Sequence, residues 1–596
     1  MKTPLPSNDE LEAYSSAISW LDIENQKRRF NRRLKELAET TSDDALPLDD
    51  LSEATGIPIS TFHSSTESGN SIIGHVNGKQ YLLASFVSKR YRKDKPLLQS
   101  ITPYNFNPSV NHTNLDETEN PKPKLRAIGA ELELGLYHED GSPPTEEQMQ
   151  EFIQGYRHHA HRLGITPQVD REACMYQVEV HIAPGIGYHR MRQSLDHIME
   201  SLVAAGKNTQ LNTAIMSSYP ILSDFALTPD PKVQTAVDVM QEVNSDFPEY
   251  MAGLNTAHQR YNMDPASNFV ETFRLQGCHV HLDIAGRSEA LGLFTFYTML
   301  HSATAIASKA VLKGGPFVNG TCDAELTCTR EYLRSTTVTG RYLEIPVTPH
   351  FTDDGLANYT NLLASDRANA AARALLYDDS MTPPVSVMHN PIGRVRPDLG
   401  SSKRICTIES TGLPVNISAS RQAAVLTDLE FTHVLVESYF RKYGTNLEPL
   451  YNDPALLAII GPLDQASYQS LQDASDRHGS DIIVKTAAGT EMALHEFYEL
   501  KRNYMHQFLI DVSDVSPREI DDVYMSLQRM LNPPSGRVAE TPEQYIHDSA
   551  RRSTGNWGAI LRDAFIEEGG TLGEHNPDAV LRVANRVHKA LEARYS

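Results

Sequence analysis

Four short stretches constrain this chain most, because in each of them apolar and polar residues alternate. They are RAIGAELELGLY (126–137), MYQVEVHIAP (175–184), GCHVHLDI (277–284) and RICTIEST (404–411). Successive side chains of a strand point to opposite faces, so such a segment lays one row on a core and turns the other toward solvent or a cavity. Glu131 and Glu133 then share one face of the first stretch, and Gln177, Glu179 and His181 share one face of the second. His279, His281 and Asp283 do so in the third, opposite Val280 and Leu282, and Thr407, Glu409 and Thr411 in the fourth.

Helical patterns around 146–162, 190–206, 287–312 and 418–442 lie between and after these strands. Strands separated by long helices, with polar groups on one strand face, define an α+β or α/β enzyme core. Ahead of it, residues 8–40 read as a helix with an imperfect stripe through Leu11, Ile18, Leu21, Ile23, Leu34 and Leu37. Asn77-Gly78 between two apolar runs predicts a hairpin across 71–87. The polar, proline-bearing stretch 104–124 reads as a linker, and 450–596 reads as mainly helical. The expected division is an N-terminal extension (1–124), a catalytic core (125–445) and a helical C-terminal region (446–596), reasonable for 596 residues. No internal repeat is visible.

A formal net charge of −22 argues against a nucleic-acid partner. The basic runs 26–35 and 89–95 read as solvated faces in so acidic a chain. Five cysteines without CxxC spacing argue against a disulfide scaffold or zinc ribbon and fit a reducing cytosol. The first residues lack the apolar core of a signal peptide. His301 and Lys309 interrupt the most apolar segment, 291–312, which reads as a buried helix rather than a membrane span. The expectation is a cytoplasmic protein without a membrane partner.

The polar strand faces carry the chemistry. Glu131 and Glu133 repel when desolvated unless a cation lies between them, so a divalent metal is the economical reading. An outward-facing acidic strand has the same local pattern. Glu179 adds a third carboxylate on a strand whose other face is apolar. His279 and His281 form an HxH pair, which suggests zinc or iron in several metallohydrolases. The pair fits neither a cupin, where a Glu follows at positions here held by Ala285 and Gly286, nor an amidohydrolase, where it opens the first barrel strand. Arg394, Arg396, Lys403 and Arg404 precede the Glu409 strand, a combination suited to metal-bound polyphosphate. No GxxxxGK[ST] loop occurs, so a nucleotide would not be held in P-loop fashion. A Gly/Pro/Asn loop from Gly314 leads to Arg330 and Arg334, placed to share a helix face.

In order, GAELE (129–133), QVE (177–179), GCHVH (277–281), GPFVNG…TR (315–330) and RP…TIEST (396–411) resemble the bacterial carboxylate–amine ligases. These are the type-two glutamate–cysteine ligases of the glutamine synthetase superfamily, whose C-terminal tail GNWGAILRDAFIEEGG (555–570) also resembles. The resemblance implies an α+β, glutamine synthetase-like domain whose curved antiparallel sheet forms a funnel for ATP, Mg²⁺ or Mn²⁺ and substrates. It implies ATP-dependent amide formation between a glutamate-like small-molecule carboxylate and an amine, through an acyl phosphate. Metal ligands would be Glu131, Glu133, Glu179, His279 and Glu409, with Glu133, Arg330 and Arg396 catalytic. Arg396, Lys403, Arg404 and His281 would face the nucleotide, and Arg330 would clamp substrate or phosphate. Thr411 stands where the family pattern has Arg. A catalytically impaired homologue that binds or regulates, a phosphoryl-transfer relative and an unrelated metallohydrolase are the alternative readings. The sequence leaves open the substrate pair and the oligomeric state, a homo-oligomer included.

Overall fold

The computed structural model describes residues 45–47, 73–76, 79–83, 128–165, 168–185, 187–221, 226–230, 233, 249–263, 274–283, 306–336, 393–396, 407–443, 449, 452–462, 464–513, 515–547 and 553–596. The expected helix over 8–40, the linker over 104–124, the start of the 287–312 helix, and Lys403 and Arg404 lie outside the described residues. The Asn-Gly hairpin is present at its two strands. Strands β2 (Ile73–Val76) and β3 (Lys79–Leu83) pair antiparallel with Val76 opposite Lys79, and β1 (Ala45–Pro47) adds to the far side of β3.

The main sheet has seven strands, and every pair in it is antiparallel. It contains β4 (Ile128–Tyr137), β5 (Val169–Arg171), β6 (Gln177–Gly185), β7 (Asn212–Ala214), β8 (Gly277–Asp283), β11 (Gly393–Arg396) and β12 (Thr407–Pro414). Their order is β11-β12-β8-β4-β6-β5, with β7 also on β4. Between β8 and β11 lies a separate hairpin, β9 (Phe317–Val318) with β10 (Thr321–Cys322). Antiparallel pairing decides between the two classes left by the sequence, in favour of mixed α+β.

Strand β4 organises the sheet. Its first half, from Ile128 to Leu132, pairs with β8, and its last three residues pair with β7. Its other edge runs along β6. One side is apolar throughout: Ala130, Leu132, Leu134 and Leu136 of β4, Val178, Val180 and Ile182 of β6, and Cys278, Val280 and Leu282 of β8 are buried. Helix α1 (Glu146–Arg162) packs on α2 (Tyr188–Thr209), which in turn packs on β6 and on the long helix Ala419–Tyr443. Thr145 opens α1 with a capping box to Gln148, the T-x-x-Q signal of a helix start. Two shorter helices, α3 (Glu249–Arg260) and α4 (Arg330–Thr336), lie against each other.

Helix α5 (Ala419–Tyr443) is buried on nearly all sides, so its polar groups need internal partners. Asp428 has them: Lys501 at 2.7 Å, the Tyr524 hydroxyl at 2.8 Å and Ser308 at 3.2 Å. Arg421 donates to the carbonyls of Ser553, Val311, Met530 and Gly555 while lying under the Tyr545 ring.

Residues 465–595 hold α6 (Gln465–His478), α7 (Leu494–Val512), α8 (Pro517–Leu531), α9 (Pro542–His547), α10 (Trp557–Glu567) and α11 (Pro577–Tyr595). They also hold a small hairpin, β13 (Ile483–Lys485) with β14 (Glu491–Ala493). One apolar core runs from Ile128 to Leu591, so these helices share the core of the sheet. Among the described residues, no helix is long and apolar enough to cross a membrane. Cys174, Cys278, Cys322 and Cys328 are buried thiols.

The fourth strand runs further than its alternation suggested. It continues past Thr411 to Pro414, with a register shift between Ser410 and Leu413. Thr411 and Gly412 take up the slack there, as in a β-bulge.

Candidate active site

The polar side of the sheet gathers residues from three neighbouring strands. Register sets Glu131 opposite His279 on β8 and opposite His181 on β6, and it sets Glu133 opposite Glu179. The side chains of Glu131, Glu133, Glu179, His181, His279 and His281 are between 11% and 24% exposed. They are neither core nor free surface, which suits groups that must meet a small ligand.

Glu131 is the centre of the cluster. Its Oε2 lies 3.5 Å from His279 Nδ1, and its Oε1 lies 3.2 Å from His281 Nε2 and 3.6 Å from His181 Nδ1. His279 Nε2 reaches Glu133 at 3.5 Å. Burial works to raise the pKa of Glu131, but the hydrogen bonds and charges of His279 and His281 outweigh it and hold the carboxyl far below the ordinary range. Glu179 goes the other way. Burial first, then the charges of Glu172, Glu131 and Glu133, push it up to about 11.

Glu172 belongs to the same cluster and was not visible in the sequence. It follows the three-residue strand β5, and its Oε1 accepts the Ala173 N–H at 3.0 Å. Burial, then the charge of Glu133, push it up to about 7. Asp170 of β5 stands opposite Glu179 and lies 3.4 Å from His181 Nε2, at the exposed rim. The one local signal was the D-x-E spacing of VDRE, too short a run for periodicity to register.

A divalent cation fits this donor set. Glu131, Glu179 and His279 each offer a ligand atom, all within 4.8 Å of one another. Carboxylates so close that one holds a proton far above its usual range are what a cation between them relieves. Two carboxylate oxygens and an imidazole suit Mn²⁺ as well as Mg²⁺.

The remaining expected residues are placed as follows. Glu409 pairs in register with His281, Arg394 with Glu409 and Arg396 with Thr407, so these positions extend the sheet beyond β8. Only the backbone is described at 394, 396 and 409. Arg330 opens α4 and is 3% exposed. Its Nε donates to the Gln276 carbonyl at 3.0 Å and its Nη1 to Glu331 at 2.7 Å. The loop before it is pinned by the hydroxyls of Ser217 and Ser218, which donate to the carbonyls of Gly314 and Phe317. Asn319 and Gly320 turn its β9–β10 hairpin with positive φ at both residues, as a two-residue turn between right-twisted strands requires.

No family model and no curated protein matches the sequence. Distantly similar solved structures include these three. One is a bifunctional glutathione synthetase from Pasteurella multocida, with a TM-score of 0.39 and 11% identity over 79% of this chain and 52% of that one. This chain therefore spans about half the length of that protein. Another is the glutamate–cysteine ligase from Francisella tularensis in complex with AMP, with a TM-score of 0.38 and 9% identity over 80% of this chain and 92% of that one. The third is the complex between the prokaryotic ubiquitin-like protein Pup and its ligase PafA, with a TM-score of 0.33 and 11% identity over 79% and 78%.

Proposed function

We propose that this chain is an ATP-dependent carboxylate–amine ligase that forms an amide between a small glutamate-like carboxylate and an amine. The observation that carries the reading is the convergence of Glu131, Glu133, Glu179 and His279 on one sheltered sheet face. These residues come from three separate motifs of the ligase pattern, and only the strand order brings them together.

Glu131, Glu179 and His279 would hold a Mg²⁺ or Mn²⁺ ion, with Glu133 beside them and Glu409 as a further ligand from β12. When bound, the ion neutralises charge on the polyphosphate. Arg396, Lys403 and Arg404 are assigned to the phosphate oxygens, and His281 faces the nucleotide. In the reaction a carboxylate oxygen of the substrate bonds to the γ-phosphorus as ADP leaves. The amine nitrogen then bonds to the acyl carbon, inorganic phosphate departs and the amine loses a proton. The partly buried wall of the site would limit water attack on the acyl phosphate. The division at 124 and 445 into extension, catalytic core and C-terminal region belongs to the same proposal.

The test is an ADP-release screen over amino acids and amines with Mg²⁺ or Mn²⁺, with product masses read directly. ADP release that requires both a carboxylate and an amine, and a product mass equal to their sum less water, is the expected result. ADP release with a phosphorylated product and no amine requirement would move the protein to phosphoryl transfer. Hydrolysis without ATP by a zinc-loaded protein would end the ligase reading.

A further inference from the structure

The peptide between Gln276 and Gly277 has both of its polar ends engaged. Its carbonyl accepts from Arg330 Nε at 3.0 Å, and its N–H donates to Glu133 Oε2 at 2.6 Å. One peptide group thus separates a guanidinium from a carboxylate of the candidate metal centre. Arg330 is itself fixed from behind. Glu331 takes its Nη1 at 2.7 Å, and the other oxygen of Glu331 lies 3.7 Å from Lys309 Nζ, all three side chains being buried. A Cβ at position 277 would lie 2.5 Å from Arg330 Nη2, so a larger residue there would displace the guanidinium.

A substrate clamp needs a guanidinium that substrate can reach, and at 3% exposure Arg330 presents almost none. We infer that Arg330 is a positioning residue for Glu133, acting through the 276–277 peptide rather than on substrate. A cation on the carbonyl polarises the peptide and strengthens the bond its N–H makes to the carboxylate. It also fixes the peptide plane, because rotation would break both hydrogen bonds together. Glu133 is thereby held in one orientation beside His279, before any ion arrives. Groups that orient metal ligands in this way typically change metal affinity by about 10- to 100-fold when removed.

This inference rests on the metal-centre reading, and Mn²⁺ binding tests the two separately. The full-length protein is titrated with Mn²⁺ alone and free ion is followed by electron paramagnetic resonance, for wild type, Arg330→Gln, Arg330→Lys, Glu133→Gln and the Arg330→Gln/Glu133→Gln pair. Arg330→Gln is expected to weaken Mn²⁺ binding about tenfold. Arg330→Lys, which cannot reach Gln276 and Glu331 together, weakens it by roughly threefold. In the Glu133→Gln background, Arg330→Gln adds nothing, because its effect passes through Glu133.

A Kd within twofold of wild type in a folded Arg330 variant overturns the inference, whether accompanied by a lower melting temperature or by weaker ATP binding. The first pattern makes Arg330 structural and the second makes it a clamp. Additive effects in the double variant overturn it as well. If Arg330→Gln fails to fold, Arg330→Lys decides on the same criterion. Wild-type protein that binds no Mn²⁺ ends the metal-centre reading and this inference with it.

Discussion

Glu133 and Glu179 stand directly opposite each other across the β4–β6 pair. Like charges at such a position destabilise a sheet, typically by a few tenths to 1 kcal/mol. Glu179 escapes that cost by holding its proton, which a cation between the two carboxylates would displace. Glu179→Gln keeps the shape of the protonated acid that Glu179 is without the ion, and it cannot ionise to receive one. In the metal-free state this variant is therefore expected to match wild-type stability within about 1 kcal/mol. Mn²⁺ at a hundred times its Kd should stabilise wild type by about 2.7 kcal/mol and leave the variant unmoved. Thermal melts with and without Mn²⁺ give both readings, and a variant still stabilised by the ion would remove Glu179 from the ligand set.

Glu131 makes the most contacts in the cluster, with three imidazoles within 3.6 Å. Glu131→Gln is expected to cut ATP-dependent turnover and Mn²⁺ affinity by roughly a hundredfold or more. Its fold should survive, because the polar face is not the core face. Circular dichroism beside the activity measurement checks this. Activity near wild type would place the chemistry elsewhere.

His588 of α11 ties the C-terminal helix to the sheet, its Nδ1 accepting the Thr213 N–H at 3.1 Å. Burial, with the charges of Lys207 and Lys589, lowers its pKa from 6.5 to about 4. Because the folded value lies below the unfolded one, stability is full above 6.5 and is lost as pH falls toward 4. At about 1.4 kcal/mol per pKa unit the loss reaches roughly 3 kcal/mol. Denaturation curves between pH 7 and pH 4 should show this slope, and His588→Gln should flatten it. An unchanged slope in that variant would assign the acid sensitivity to another group.

Arg421 is 1% exposed and serves four backbone carbonyls from three parts of the chain. Arg421→Leu leaves those carbonyls without their donor, with an expected cost of about 3–5 kcal/mol. Arg421→Lys should recover only part, because an ammonium cannot replace the fork geometry. Chemical denaturation measures both, and a loss below 1 kcal/mol would mean that other donors take over.

Much of this molecule was legible in local pattern, and the reason is periodicity. Alternating residues announced β4, β6 and β8 within a residue or two, and helical patterns announced α1, α2 and α5. The pairing of β2 with β3 followed from Asn77-Gly78 between two apolar runs. Strands β5 and β7 were missed, since three residues carry too little pattern to stand out. Glu172 and Asp170 were missed with β5, and two of the five acids of the wall went with them.

Local pattern could say which face of each strand was polar, but not which strands were neighbours. That choice was made by burying the apolar faces of β4, β6 and β8 against the helices, and it set His279 and His181 on either side of Glu131. Burial also changed the work assigned to Arg330. An arginine after a glycine-rich loop looks like a phosphate clamp in one dimension. In three, it lies behind Gly277 with a buried glutamate at its back, because desolvated charge must be paired wherever the fold leaves it.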